Sequence, residues 1–193
     1  EVKRLLKLRR ARIRRSEGLF IVEGQREIQV GLAAGVAFER VFFCRSFLGD
    51  REQEGIFPRL RKCGVPLVEM AQAPFKKISL RQNPDGLFAL ASTWKLSVED
   101  LTLGETPVVV LMDGVEKPGN LGAVLRSAEA FGVDAVVCVD PSLDLFNPNV
   151  VRSSQGLFFR VPTLICDRDT ITNFLRLKEL RIIATSAKAV KSA

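Results

Sequence analysis

The chain has 193 residues, of which 47% are hydrophobic and 26% charged, and its formal net charge is +7. This composition is typical of a globular protein and excludes a disordered or fibrous one, while the length allows one large domain or two small ones. Because the sequence has no histidine, a catalytic triad and other His-dependent acid–base chemistry are excluded, and we expect no metal site.

The cellular location is predicted from the ends and the apolar runs of the chain. No apolar run approaches the roughly 20 residues needed to cross a bilayer, and the N-terminal segment is charged rather than a hydrophobic signal. We therefore expect a cytoplasmic protein without a membrane partner. The cysteines are scattered without a CxxC pair, so all are expected to be reduced residues of the core. They are Cys44, Cys63, Cys138 and Cys166.

The opening segment is predicted to form one amphipathic helix, because apolar residues from Val2 to Ile13 interleave with basic ones. A basic helix face favours contacts with phosphate groups, and so a partner such as nucleic acid. The charge alone would also fit an anionic membrane surface or simple solubility. The basic residues are Lys3, Arg4, Lys7, Arg9, Arg10, Arg12, Arg14 and Arg15.

The rest of the first half alternates between strands and helices. Strands are predicted at residues 19–22, 41–44, 67–69 and 87–91, and helices at 24–34 and 51–62, which end at Gly35 and Gly64. This alternation predicts a small α/β domain over residues 1–95. Residues 96–106 lose periodicity and gather polar and turn-forming residues, so a linker is predicted there.

The second half, residues 107–193, restarts with a hydrophobic strand at 108–112, expected to be buried on both faces of a parallel sheet. After a glycine-bearing loop, Asn120 is the predicted N-cap of a helix that ends at Gly132. Further strands are predicted at 135–139, 161–165 and 182–185, with helices from residue 148 and at 170–177. Ligands of such sheets bind where the strands end, which is where this loop lies.

Two familiar readings of the glycine loop fail on its residues. A P-loop needs a Lys and a hydroxyl residue after its second glycine, but Asn120 and Leu121 follow Gly119. A dinucleotide fingerprint needs GxGxxG, and only Gly119 and Gly122 fall near that spacing. We therefore exclude nucleotide hydrolysis and dinucleotide binding at this loop.

The helix after the loop places Arg126 opposite its apolar stripe, beside the small residues Gly122 and Ala123, which would let a phosphate or another chain approach. A solvated surface arginine is the alternative interpretation. The stretch NLGAVLRSAEAFGV, residues 120–133, resembles the first signature of the SpoU (TrmH) family of RNA methyltransferases, within the SPOUT class. NPNVVRSSQGLF, residues 147–158, is similar to the second signature of that family and follows in the same order.

The resemblance implies an α/β fold in which a small substrate-binding domain precedes a parallel-sheet domain of the SPOUT trefoil-knot type. The stretch LFIVEGQREIQVGLAAG, residues 19–35, resembles that first domain more loosely. The implied activity is transfer of a methyl group from S-adenosylmethionine (AdoMet) to a ribose 2′-hydroxyl of structured RNA, with ribosomal RNA favoured over transfer RNA. The resemblance also implies a homodimer and a reaction that needs no metal.

Residue roles follow from the same resemblance. Arg126 and Asn120 are carried over as catalytic. Because a guanidinium stays protonated in proteins, we expect Arg126 to grip a phosphate and lower the pKa of the hydroxyl, with the proton acceptor left open. Helix capping is the alternative to an RNA-facing role for Asn147 and Ser154. A turn after the last strand is the alternative to a cofactor contact for Thr185 and Ser186. The residues expected to face RNA or the dimer partner are Asn147, Arg152, Ser154, Arg9, Arg10 and Arg12, and those expected at the cofactor are Thr185 and Ser186.

The chain departs from the family pattern at its ends. The third signature, G-[SN]-E-x-x-G-L followed by a Ser-Leu-Asn-Val-Ser run, does not occur, and no initiator Met or Asn-Pro lead-in opens the chain. We therefore expect a sequence that is trimmed at both ends, with most of the cofactor pocket outside it. A non-catalytic RNA-binding module or an inactive fragment remains the alternative, and a structural α/β domain is a third.

Overall fold

The computed structural model describes residues 1–48 and 50–185, which form two sheets with helices packed around them. The strands are β1 (Leu19–Glu23), β2 (Phe38–Phe43), β3 (Leu67–Glu69), β4 (Leu87–Ser92), β5 (Val109–Asp113), β6 (Ala135–Val139) and β7 (Thr163–Cys166). The helices are α1 (Val2–Lys7), α2 (Ala11–Glu17), α3 (Gln25–Ala33), α4 (Asp50–Lys62), α5 (Gln72–Ile78), α6 (Pro118–Ala130), α7 (Pro148–Ser153) and α8 (Arg168–Leu177). Short 3-10 helices lie at Val98–Asp100 and Leu157–Phe159.

The first sheet has the strand order β1-β4-β2-β3. β4 lies in the middle and pairs antiparallel with both neighbours, with Ile21 opposite Leu90 on one side and Val41 opposite Ala89 on the other. β2 and β3 are parallel. The predicted α/β character of this half is confirmed, although α5 was not predicted, because its N-cap position is occupied by Ala71 and no glycine follows its end.

The second sheet is entirely parallel in the order β5-β6-β7. β6 is central and buried along its whole length, as its hydrophobic run indicates. β5 has the same kind of sequence but lies at the edge of the sheet in the described residues, where Leu111 is 38% exposed, so the expected burial on both faces is wrong. Because the three strands are parallel, their carboxyl ends lie at one edge, and the segments that lead to α6, α7 and α8 start there.

The strand predicted at residues 182–185 does not form in the described part of the chain. That segment belongs to no helix or strand, and Ile182 and Ile183 are each 57% exposed. An apolar run becomes a strand only when a neighbour supplies the ladder of hydrogen bonds, and the three-stranded sheet does not include this segment.

The N-terminal segment forms two helices rather than one. Arg10 adopts an extended conformation between α1 and α2, and Gly18 ends α2 in the left-handed conformation that glycine tolerates. A guanidinium nitrogen of Arg9 lies 2.9–3.1 Å from the carbonyl oxygens of Lys77, Ile78 and Ser79, so the turn is fastened to the end of α5. Side-chain spacing cannot predict that long-range contact.

One hydrophobic core connects the two sheets. Phe20 from β1 packs against Phe146 at a ring distance of 5.0 Å, and Trp94, between the sheets in sequence, lies 4.8 Å from Phe146 and 5.3 Å from Phe158. Gly156, with a positive φ of 83°, lets this region approach the backbone of α3, where an added Cβ would lie 3.1 Å from the Cα of Glu27. The two sheets therefore share buried contacts.

The cysteine prediction holds for two residues and fails for one. Cys44 and Cys138 are buried, Cys166 is half-buried, and Cys63 is exposed at the end of α4, where the following Gly64 terminates the helix. All four are free thiols. Within the described residues no helix has the length and apolar character that a membrane crossing requires.

Candidate functional site

The two sequence signatures meet where α6 crosses α7. Gly122 of α6 faces Ser153 of α7 so closely that an added Cβ would lie 2.0 Å from the Ser153 Oγ and 2.7 Å from its carbonyl carbon. The Ser153 hydroxyl lies 2.6 Å from the carbonyl oxygen of Asn149 in its own helix and 3.1 Å from that of Pro118 in α6. Gly122 thus admits a neighbouring helix of the same chain, whereas a phosphate or another chain was expected beside this small residue.

Arg126 lies on the exposed side of this crossing. Its guanidinium donates a hydrogen bond to the carbonyl oxygen of Ser153, the last residue of α7. Carbonyls in the last turn of a helix lack intrahelical donors, so they are ready acceptors for such a side chain. Arg126 is therefore held in place at the surface, and it is not part of an internal ion pair among the described residues.

Arg152 adds a second exposed guanidinium in the last turn of α7. It precedes Ser153, whose carbonyl binds Arg126. Two arginines therefore contribute positive charge around the end of one helix, an arrangement suited to the phosphate groups of a nucleic acid.

Asn120 is exposed, but it is not the N-cap of α6, so that prediction is wrong. The helix begins two residues earlier at Pro118, and Lys117 occupies the cap position. Proline is favoured at the first helical position because its φ is already helical and its missing N–H has no partner to lose. Asn120 instead lies in the first turn and lines an open cavity of about 370 Å³ formed with residues 112–117.

An ion pair that the sequence analysis did not predict lies at the same edge of the sheet. Asp113, at the end of β5, accepts two hydrogen bonds from Arg168, at the start of α8, at 2.9 and 3.0 Å. The hydrogen bonds to Asp113 raise the pKa of Arg168. The available signal was positional: Asp113 directly follows the strand predicted at 108–112, and Arg168 lies two residues before the helix predicted at 170–177.

Asn147 and Ser154, the polar residues that flank α7, both take part in local hydrogen bonds. Asn147 is the N-cap, and its side-chain oxygen accepts a bond from the backbone N–H of Asn149 at 3.0 Å. Ser154 is fully buried, donates to the carbonyl of Val151 and accepts from the N–H of Phe158. The geometry of the described chain therefore gives Ser154 an internal role and does not bring it to a surface that RNA could reach.

The basic residues of the N-terminal helices do not all face solvent. Arg10 and Arg12 are exposed, and Arg9 is exposed as a whole although one of its nitrogens binds the end of α5. Arg14 is 2% exposed and paired with Asp144, so counting it in the basic face is wrong. Charge in a sequence indicates an exposed side chain only when no buried partner exists.

Comparison with known proteins bears on the whole chain. Residues 107–193 match the family model described as "SpoU rRNA Methylase family", and residues 1–89 match the "MRM3-like substrate binding domain". A crystal structure of an RNA 2′-O ribose methyltransferase is 34% identical with a TM-score of 0.82, and the match covers 98% of this chain and 71% of that one. The chain belongs to the SpoU family. The resemblance inferred from the two signatures is thus confirmed, as is the α/β fold.

Two curated relatives differ in how much of their length this chain spans. An rRNA methyltransferase 3A, mitochondrial, from Danio rerio is 33% identical over 77% of this chain but only 34% of its own length. The 23S rRNA (guanosine(2553)-2′-O)-methyltransferase RlmP of Bacillus subtilis is 24% identical over 96% of this chain and 70% of its own length. The chain thus spans about a third of the first relative.

The SpoU fold also occurs in a crystal structure of AviRb from Streptomyces viridochromogenes in complex with AdoMet, which has a TM-score of 0.79 at 22% identity. An adenosyl group needs a largely apolar cavity that encloses it. The cavity beside Asn120 is open and lined by the charged residues Asp113, Glu116 and Lys117, and Thr185 is exposed outside any helix or strand. The cavity beside Asn120 does not by itself form an AdoMet pocket. Ser186 lies outside the described residues.

Proposed function

We propose that this protein transfers a methyl group from AdoMet to a ribose 2′-hydroxyl of ribosomal RNA. The observation that carries the proposal is Arg126, exposed at the crossing of the two SpoU signatures and held by the carbonyl of Ser153. The names of the relatives support the substrate, since those of Danio rerio and Bacillus subtilis are both rRNA methyltransferases. AdoMet would supply the methyl group when bound.

In this proposal Arg126 binds a phosphate next to the target ribose. A guanidinium offers five N–H donors and stays charged, so it can hold the Ser153 carbonyl and a phosphate oxygen at once. Its positive charge favours ionisation of a nearby 2′-hydroxyl, while a proton-accepting role would contradict the high pKa of guanidinium groups. Asn120 lies in the first turn of the same helix, is also exposed and would orient the ribose, with Arg152 adding a phosphate contact.

The N-terminal helices are the second part of the proposed RNA surface. Arg10 and Arg12 are exposed and can contact phosphate groups of the RNA, and the exposed part of Arg9 adds to this surface. We place the substrate-binding domain at residues 1–95, a linker at 96–106 and the methyltransferase domain at 107–193. This division agrees with the extents of the two sheets, which span residues 19–92 and 109–166.

The homodimer and the cytoplasmic location are part of the same proposal. The apolar side chains exposed on the second sheet and its helices, such as Phe131 at 85%, support an additional contact in the whole protein. Sedimentation of the whole protein at micromolar concentration tests the dimer.

The proposal is tested by Arg126→Ala in the whole protein, assayed for transfer of a labelled methyl group to ribosomal RNA. We expect activity to fall by at least about 100-fold, because removing one charge-stabilising donor from an active site has effects of that order. RNA affinity should change by less than about threefold, since other basic residues remain. Arg160→Ala is the matched control, because Arg160 is an exposed arginine of the same half whose partner, Glu129, lies 2.9 Å away.

Two outcomes would contradict the proposal. Near-normal turnover by Arg126→Ala would remove Arg126 from the reaction. A wild-type protein that binds RNA but shows no calorimetric signal with AdoMet would support the alternative, a non-catalytic RNA-binding module. Mapping 2′-O-methyl groups in RNA from cells that lack the gene would then identify the RNA and nucleotide modified.

A further inference from the structure

We propose that Arg14 is a positioning residue, which fixes the loop between β6 and α7 relative to the N-terminal basic helices. The inference rests on the proposed methyl transfer, because it concerns how the RNA surface and the Arg126 site are held in register. Arg14 belongs to neither signature.

Each of the three nitrogens of the Arg14 guanidinium has a partner. Its Nε and one terminal nitrogen lie 2.8 and 2.6 Å from Oδ2 of Asp144, and the other terminal nitrogen donates to the carbonyl oxygens of Leu8 and Arg9 at 2.8 and 2.9 Å. Arg14 is 2% exposed and Asp144 is 12% exposed. A buried arginine whose three side-chain nitrogens all have partners holds its carboxylate at one place and in one orientation.

Asp144 passes this constraint to α7. Its Oδ1 accepts a hydrogen bond from the N–H of Phe146 at 3.1 Å, and its carbonyl accepts one from the N–H of Asn147 at 3.0 Å. Asn147 is the N-cap of α7. The ion pair therefore sets the start of the helix whose last carbonyl binds Arg126.

The other end of the constraint is the proposed RNA surface. Arg14 lies in α2, whose exposed side carries Arg12, and it binds carbonyls of the turn that contains Arg9 and precedes Arg10. Arg14 thus joins the turn, α2 and the loop at 140–147 through direct contacts. RNA held by these helices is thereby placed at a fixed distance from the end of α7.

The test separates positioning from stability by comparing single and double variants of the whole protein. Arg14→Met alone leaves a buried carboxylate without its partner and should lower Tm, while Arg14→Met with Asp144→Asn removes both charges, keeps an acceptor for the N–H of Phe146 and should recover most of the loss. If the pair positions α7, the double variant keeps a near-native Tm and RNA KM within about twofold, yet its kcat falls about 10- to 100-fold, as misplacement by about 1 Å does elsewhere. Arg45→Met is the control, because its ion pair with Glu69 is exposed.

The outcomes are distinguishable from failure of the proposed function. A wild-type protein without methyl transfer refutes the function itself. An active wild type together with a double variant of native kcat overturns the inference, as does a change confined to KM. If the double variant is unstable, Asp144→Asn alone keeps the side-chain shape, and hydrogen exchange at the amides of Phe146 and Asn147 decides: faster exchange supports positioning, and unchanged protection overturns it.

Discussion

The close contact between Gly122 and Ser153 makes Gly122→Ala an informative substitution. All three nearest atoms to an added Cβ belong to Ser153: Oγ at 2.0 Å, Cβ at 2.6 Å and the carbonyl carbon at 2.7 Å. The hydroxyl could rotate away, but the other two atoms are fixed to the backbone of α7. The two helices would therefore have to separate.

The magnitude follows from two opposing effects. Overpacking a close contact costs about 1–3 kcal/mol, whereas replacing glycine by alanine inside a helix contributes about 1 kcal/mol of helix propensity. Because two of the three contacts are with atoms that cannot rotate away, we place the packing cost in the upper half of its range. The net expectation is a loss of about 1–2 kcal/mol in the free energy of unfolding, or a Tm lower by about 2–8 °C.

Gly119→Ala is the matched control for this experiment. Gly119 lies in the same helix, and an added Cβ there would meet nothing within 4 Å, so this variant should be as stable as the wild type or more so. Urea and thermal unfolding of the three proteins provide the comparison. A Gly122→Ala protein as stable as Gly119→Ala would refute the reasoning, and so would full recovery on adding Ser153→Ala, which removes only the Oγ contact.

Two further predictions concern buried ionisable groups. Burial raises the pKa of Glu27 above its ordinary value of 4.5, so Glu27 loses its proton at a lower pH in the unfolded chain than in the folded one. The free energy of unfolding therefore falls as pH rises from about 4.5 through the raised pKa. Glu27→Gln should make the stability measured by urea unfolding less dependent on pH in that window, and an unchanged pH dependence would contradict the burial. Burial also raises the pKa of Cys138 to about 12, and Cys63 is exposed, so a disulfide reagent followed by mass spectrometry should label Cys63 in the native protein and Cys138 only after unfolding. Labelling of both at equal rates would contradict the placement of these thiols.

Local sequence patterns were sufficient to predict the bounds of elements that do not depend on distant contacts. The continuous apolar run of β6 predicted its bounds at residues 135–139, and the glycine stop after α3 predicted that helix to within one residue at each end. The same kind of run in β5 predicted burial on both faces, which depends on what lies beside the strand. Sequence periodicity gives the character of an element but not the number of its neighbours.

The errors in the candidate site have the same origin. Arg14 was assigned to the basic face because its partner, Asp144, is 130 residues away in the sequence. The start of α6 was placed at Asn120 because asparagine is a good cap, although Pro118 is already in the helix. Arginine and asparagine each have two common roles, and local sequence favours only one of them. In the structure, a distant contact decides the role of Arg14, and an earlier helix start decides that of Asn120.

The two signatures form one site in the structure, and their spacing in the sequence does not show this. They are separated by β6 and the loop at 140–147, yet Gly122 and Ser153 touch, and Arg126 reaches the carbonyl that ends α7. A lysine at position 126 would carry the same charge, but its single ammonium could not offer a planar set of donors to a carbonyl and a phosphate in fixed directions. In the proposed function, arginine at position 126 would therefore serve the carbonyl at the end of α7 as well as the RNA, for as long as Gly122 keeps the two helices in contact.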